Sequence, residues 1–184
     1  MAVVVAFAGR RVDPQEAEAS RFPPRNVDLV RERIREQLQR AAATSLVSSA
    51  ACGADLLALE AAGALRIERV VVLPWDRQRF RAESVVDRGD AWGPIFDRVV
   101  DEVEQAGGLR TLAPIEDSHA AFAATNEAIL DLAGERAIDA GDPAAVVALV
   151  AWDGQSRGPR DLTRRFMERA KARGVQVVEV STIA

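Results

Sequence analysis

The sequence contains a single cysteine, Cys52, and a single histidine, His119. One thiol cannot close an internal disulfide, and with one imidazole it cannot build a cysteine- or histidine-rich metal centre, so no metal is expected. No apolar run approaches the ~18 residues that a membrane-spanning helix needs. The opening AVVVAFAG is too short for a signal-peptide core and has no basic region before it. Absence of membrane contact and a cytoplasmic location are therefore expected. Repeats, low-complexity tracts and linker-like stretches are also missing, so the 184 residues are expected to form one domain, 1–184. Nor is there an excess of positive charge. The net charge of −4 argues against broad, nonspecific attraction to nucleic acid, which is not expected as a partner, and leaves small anionic ligands open.

What is present is an alternation of two patterns. Short valine-rich runs occur at Ala2 to Ala8, Leu46 to Ser48, Glu68 to Leu73, Ala145 to Trp152 and Val175 to Val180, with a shorter one at Leu109 to Ala113. Such runs suit parallel strands buried on both faces. Helical spacing separates them. From Asn26 or Asp28 onward, Val30, Ile34, Leu38 and Ala41 share one face; further helices are expected over Gly53 to Leu65, Ala91 to Ala106, His119 to Arg136 with Ser118 as cap, and Gly158 to Ala172. The fold class is α/β, a three-layer Rossmann-like sandwich with a mainly parallel sheet.

In such sheets ligands lie beyond the carboxyl ends of the strands, where the strand order reverses. Three unusual stretches fall at strand ends: Gly9 to Asp13, Ser48 to Asp55, and Trp152 to Thr163. Small residues at Ser49, Cys52 and Gly53 let backbone approach a ligand, and a helix start aims free N–H groups at an anion, although Asp55 places a negative charge there. Gly9, Gly53 and Gly158, with Arg10 or Arg11 as counter-charge, then make a phosphate cradle. Asp153, Gly154 and Thr163 complete the ligand-binding candidates; Trp152 or Phe80 either borders a base or fills the sheet rim. Arg77, Arg79, Arg81 and Arg88 form a cluster that reads as either a phosphate contact or solvated surface. The helix from Gly53 to Leu65 carries only Asp55 and Glu60 as charges, more apolar surface than one sheet face covers, so a homodimer or higher homo-oligomer through it is expected.

Several of these stretches resemble a known family. FAGRRVD is similar to an FTGHR-type opening, SSAACGADLLALEAA to a GGARGAD-type turn and helix, and LPWDRQRFRAESV and VAWDGQSRGP to later signatures of the SLOG superfamily. That superfamily is the Rossmann-like group of DprA, the LOG phosphoribohydrolases and nucleotide-sensing domains. The resemblance implies binding or sensing of a nucleotide-derived, phosphate-containing small ligand, with no separate cofactor. A hydrolase of a nucleotide N-glycosidic or phosphoester bond, using Asp13, Asp153 or Asp161 as acid or base, is the alternative. Catalytic residues stay unassigned. LOG-type phosphoribohydrolase activity is not expected, because DGQSRGPRDLTRRF stands where that group has PGGxGTxxE and puts arginines where its glutamate falls. Arg10 replaces the histidine of the opening motif, which removes a titratable group.

Overall fold

The computed structural model describes residues 2–184. Strands β1 (Val3–Gly9), β2 (Ala43–Ser48), β3 (Glu68–Leu73), β4 (Leu109–Thr111), β5 (Val146–Trp152) and β6 (Gln176–Ser181) form one sheet in the order β4-β3-β2-β1-β5-β6. All five pairings are parallel. Helices α1 (Val27–Arg40), α2 (Ala54–Ala64), α3 (Arg77–Ser84), α4 (Trp92–Gln105), α5 (Ser118–Asp139) and α6 (Leu162–Ala172) flank it. The result is the Rossmann-like three-layer sandwich.

Strand β1 organises the two cores because successive side chains point to opposite faces. Val5 and Phe7 join Ile34, Leu38, Leu57 and Phe96 on one side. Val4, Ala6 and Ala8 join Ile129, Phe166 and Met167 on the other. The α1 stripe read from the sequence is buried at Val30, Ile34 and Leu38, while Ala41 falls just beyond the helix.

Two helix starts differ from the sequence reading. Helix α5 is capped by Asp117, whose carboxylate accepts from the Ala120 N–H, so Ser118 lies inside the helix. Helix α6 starts at Leu162 because residues 154–161 form a loop and Asp161 accepts from the N–H groups of Thr163 and Arg164.

The expected self-association surface on α2 is also corrected. Helix α2 packs between the sheet and both α1 and α4, so Leu56, Leu57 and Leu59 are fully buried within one chain. Each such leucine contributes ~1.5 to 3 kcal/mol by leaving water. The apolar faces of the helix are covered by neighbouring helices of the same chain. Glu60, one of its two charged residues, pairs with Arg98 at its partly exposed edge. No helix among the described residues is long and apolar enough to cross a membrane.

Candidate functional site

The chain runs outward from β1 through β2 and β3 to β4, then returns by α5 to place β5 on the other side of β1. Reversal of strand order at β1 and β5 opens a crevice at their carboxyl ends. A cleft of about 280 Å³ occupies this position, and its lining includes Gly9, Arg10, Arg11, Ser49, Asp55 and Thr163. Cys52, Gly53, Trp152, Asp153, Gly154 and Gly158 do not line it.

The end of β1 meets the start of α2 so tightly that two glycines are required. A Cβ on Gly9 would lie 2.4 Å from the Ala54 Cβ, and one on Gly53, whose φ is +102°, would lie 2.5 Å from the Val12 nitrogen. Arg11 bridges Gly53 in an antiparallel β-bridge, and the Ala54 N–H donates to the Arg10 carbonyl. The α2 N-terminus is thus partly satisfied by its own chain, and the cradle of Gly9, Gly53 and Gly158 does not assemble. Gly158 instead turns the loop before α6, with its N–H on the Ser156 hydroxyl.

Arg10 departs most from its expected part. Its side chain is 2 % exposed, with Nε donating to Asp153 at 2.9 Å and Nη1 and Nη2 gripping both oxygens of Asp161 at 2.7 and 2.8 Å. Nη2 also donates to the Gln155 carbonyl at 2.7 Å. A guanidinium so engaged is not the free counter-charge of a phosphate site. Burial raises the Asp161 pKa, but the Arg10 fork and the N–H groups of Arg157 and Arg164 outweigh it and bring the carboxyl from 3.8 to about 2. Asp153 is held by Arg10 and by Arg21 Nη1 at 2.7 Å. Asp13 accepts from the N–H groups of Arg21 and Phe22. These three carboxylates therefore hold the loops beneath the cleft together, which corrects their reading as acid or base. Trp152 is buried under Arg10, 5.7 Å from its ring, and donates Nε1–H to Glu179; it fills the rim and offers no stacking face.

Most of the Arg77 to Arg88 cluster is solvated ion-pair surface: Arg77 and Arg81 meet Asp97, and Arg79 meets Glu83. Only Arg88 lines the cleft. It shares Asp87 with Arg11. Arg21 and Arg157, absent from the sequence-based candidates, complete the cationic lining. Phe80, Phe122, Ile129 and Leu162 supply apolar wall. Asn126, a mid-helix asparagine, lines the same wall and donates its side-chain N–H to the Leu162 carbonyl. That position was the one readable signal that α5 faces the cleft.

Asp55 lies in the first turn of α2 and is 8 % exposed. Its Oδ2 accepts from the Ala51 N–H at 3.3 Å, while Oδ1 makes no hydrogen bond of full geometry, the Gly9 N–H acting on the carboxyl only electrostatically. Burial pushes its pKa up to about 7 against the pull of the Ala51 and Gly9 N–H groups and of Arg11. The Ser49 and Ser84 hydroxyls, also lining the cleft, are likewise buried without partners. Among the described residues no group of three or more His, Cys, Asp or Glu is placed to hold a metal ion.

No family model matches the sequence, and no curated protein matches it. Among solved structures the chain is similar to DNA processing protein A from Helicobacter pylori, described by its single-stranded DNA binding mode: 19% identity, TM-score 0.45, 95% of this chain and 74% of that one. It is similar also to DNA processing protein A (DprA) from Streptococcus pneumoniae: 16% identity, TM-score 0.41, 96% of this chain and 58% of that one. Set against these findings, the expectations of a small nucleotide-derived ligand or its hydrolysis, and of nucleic acid as an improbable partner, are corrected. The similarity is to DNA processing protein A, a member of the Rossmann-like group that the chain's own motifs resemble.

Proposed function

We propose that this chain binds single-stranded nucleic acid, with one unpaired nucleotide in the strand-end cleft and the flanking backbone along the loop and helix that follow β5. The observation that carries this reading is a cationic track contiguous with a cavity sized for one nucleotide. At about 280 Å³ the cleft lies just below the ~300 to 1,000 Å³ usual for ligand sites. Its lip continues into SRGPRDLTRRF, where Arg157, Arg160, Arg164 and Arg165 are exposed. The one acid within that stretch, Asp161, is buried against Arg10. Arg160 and Arg165 make no ion pair among the described residues, and Arg165 lines a small groove between α5 and α6 that shares Asn126 and Leu162 with the cleft.

A free mononucleotide needs no charge outside its pocket, whereas a strand carries a phosphate at every step and gains from each arginine along its path. Arginine suits this use because its planar fork pairs with phosphate oxygens. Inside the cleft, Arg10, Arg11, Arg21, Arg88 and Arg157 meet three paired carboxylates, Asp87, Asp153 and Asp161, the backbone-held Asp13 and, when it is ionised, Asp55. The surplus of positive charge lies just outside the cleft, at the exposed Arg160 and Arg165, despite the negative net charge of the whole chain.

Fluorescence anisotropy with end-labelled oligo-dT and a duplex of equal length tests the reading. Oligo-dT should bind more tightly than the duplex. Replacing Arg157, Arg160 and Arg165 together by Gln should lower the slope of log affinity against log salt by about 2, as three lost phosphate contacts to a single strand require. Equal affinity for duplex, or a slope unchanged by the triple substitution, would refute it.

A further inference from the structure

The floor of the cleft carries polar atoms that the fold leaves unsatisfied, and their number and kind specify what fits. On residues that line the cleft, four side-chain atoms are buried without a hydrogen-bond partner: Asp55 Oδ1, Ser49 Oγ, Ser84 Oγ and Arg11 Nε, the last in a guanidinium that already engages Asp87 and Cys52. Buried polar groups without partners are rare and destabilising, so four around one cavity mark a place that a ligand completes. Apart from the already engaged Arg11, two are hydroxyls able to donate. The third is a carboxyl oxygen that accepts when ionised.

A phosphate does not suit this floor, because its oxygens would confront the Asp55 carboxylate; the arginines at the lip serve it better. The walls are apolar and aromatic, with Phe80, Phe122, Ile129 and Leu162, as the faces of a planar heterocycle require. Among nucleobases the Watson–Crick edge of a pyrimidine offers two acceptors and one donor group. Adenine offers one of each, and guanine one acceptor and two donors. Resting on the reading of the cleft as a single-strand site, we propose that Asp55, Ser49 and Ser84 recognise the edge of an unpaired pyrimidine base, Asp55 accepting its N–H while the two hydroxyls donate to its two acceptors.

Binding in this manner needs ionised Asp55, so the recognition is linked to pH. With a free-state pKa of about 7, affinity for a pyrimidine strand should rise about tenfold between about pH 6 and about pH 8. The charged groups that line the cleft with Asp55 are Arg10, Arg11, Asp13 and Arg21 after β1, Arg88 after α3, and Arg157 after β5; α5 contributes Thr125 and Asn126, which do not titrate. The Cys52 thiol contacts Arg11 and is raised by burial, and His119 lies outside the cleft lining against the Arg160 carbonyl. A pH dependence arising from either group would survive substitution of Asp55.

The test measures affinities of oligo-dT, oligo-dA and an abasic strand of equal length across this pH range. Wild-type protein, Asp55→Asn and Asp55→Ala are compared, with thermal melts to check folding. Asp55→Asn should fold, since a neutral amide matches the protonated acid that burial favours. The proposal expects oligo-dT to bind about tenfold more tightly than the other two strands at the upper pH, this preference to vanish in Asp55→Ala, and the pH dependence to vanish in Asp55→Asn. Equal binding of oligo-dT and the abasic strand, or a preference and pH profile that survive both substitutions in folded protein, would overturn the base-edge assignment and leave the single-strand reading standing. Failure of every strand to bind would overturn both.

Discussion

Arg10→Met tests whether Arg10 is a structural clamp or a ligand contact. The substitution keeps an apolar stem of similar length and removes the guanidinium that holds Asp153 and Asp161, a pair buried on both sides. Breaking a buried ion pair costs ~3 to 5 kcal/mol, because the surviving charge is left without compensation. Two features place this case at the lower end. Asp153 keeps Arg21 at 2.7 Å, and Asp161 keeps the N–H groups of Arg157, Thr163 and Arg164. A loss of ~3 kcal/mol corresponds to a fall in Tm of about 6 to 12 °C for a chain of this size. Calorimetry at neutral pH reads this directly. Adding Asp161→Asn to Arg10→Met should recover part of the loss, since the amide oxygen still caps α6 and only one buried carboxylate, Asp153 with its Arg21 partner, remains. The acid limb is a second reading. Asp161 is depressed in the fold, from 3.8 to about 2, so its stabilisation is complete above its unfolded pKa and disappears as pH falls through that interval. Arg10→Met should flatten this limb. A variant that melts with the wild type at neutral pH, and is impaired only in binding, would refute the clamp.

Two further predictions concern the junction of β1 and α2. Leu57→Arg should abolish cooperative unfolding or leave the protein insoluble, since Leu57 is fully buried between the sheet and its neighbouring helices and an unpaired buried charge costs several kcal/mol; a folded variant with altered sedimentation would put α2 on the surface after all. Gly53→Ala should lower the urea midpoint by the equivalent of ~1 to 3 kcal/mol, because φ is +102° and the added Cβ meets the Val12 nitrogen at 2.5 Å; an unchanged midpoint would refute the requirement for glycine.

The alternation of valine-rich runs with helical spacing determined the layer architecture, because period-2 and 3.6-residue burial are properties of the local chain. β3 was legible residue for residue as Glu68–Leu73, bounded by Pro74 and by the chain's own apolar density. The stripe of α1 was legible for the same reason. Gly9, Arg11, Ser49 and Asp55 were legible as strand-end residues, since parallel sheets expose their carboxyl ends to ligands whatever the sequence between them. Caps were less so. Asp117 and Ser118 are both good caps, and only the path of the preceding loop selects one of them.

What the sequence left open was the partner of each charge. Arg10 reads as a phosphate ligand until folding brings Asp153 and Asp161, more than a hundred residues away, into its fork. Arg21, Arg88 and Arg157 come from three separate loops and share no spacing that a linear reading detects, yet they line one cleft. The apolar surface of α2 announces that it must be covered, while whether α4 or a second copy covers it is a matter of where the β3 to β4 connection runs. Local patterns record burial and periodicity, which each residue carries with it; charge pairing and cavity lining depend on contacts between distant segments, and only the tertiary structure decides them.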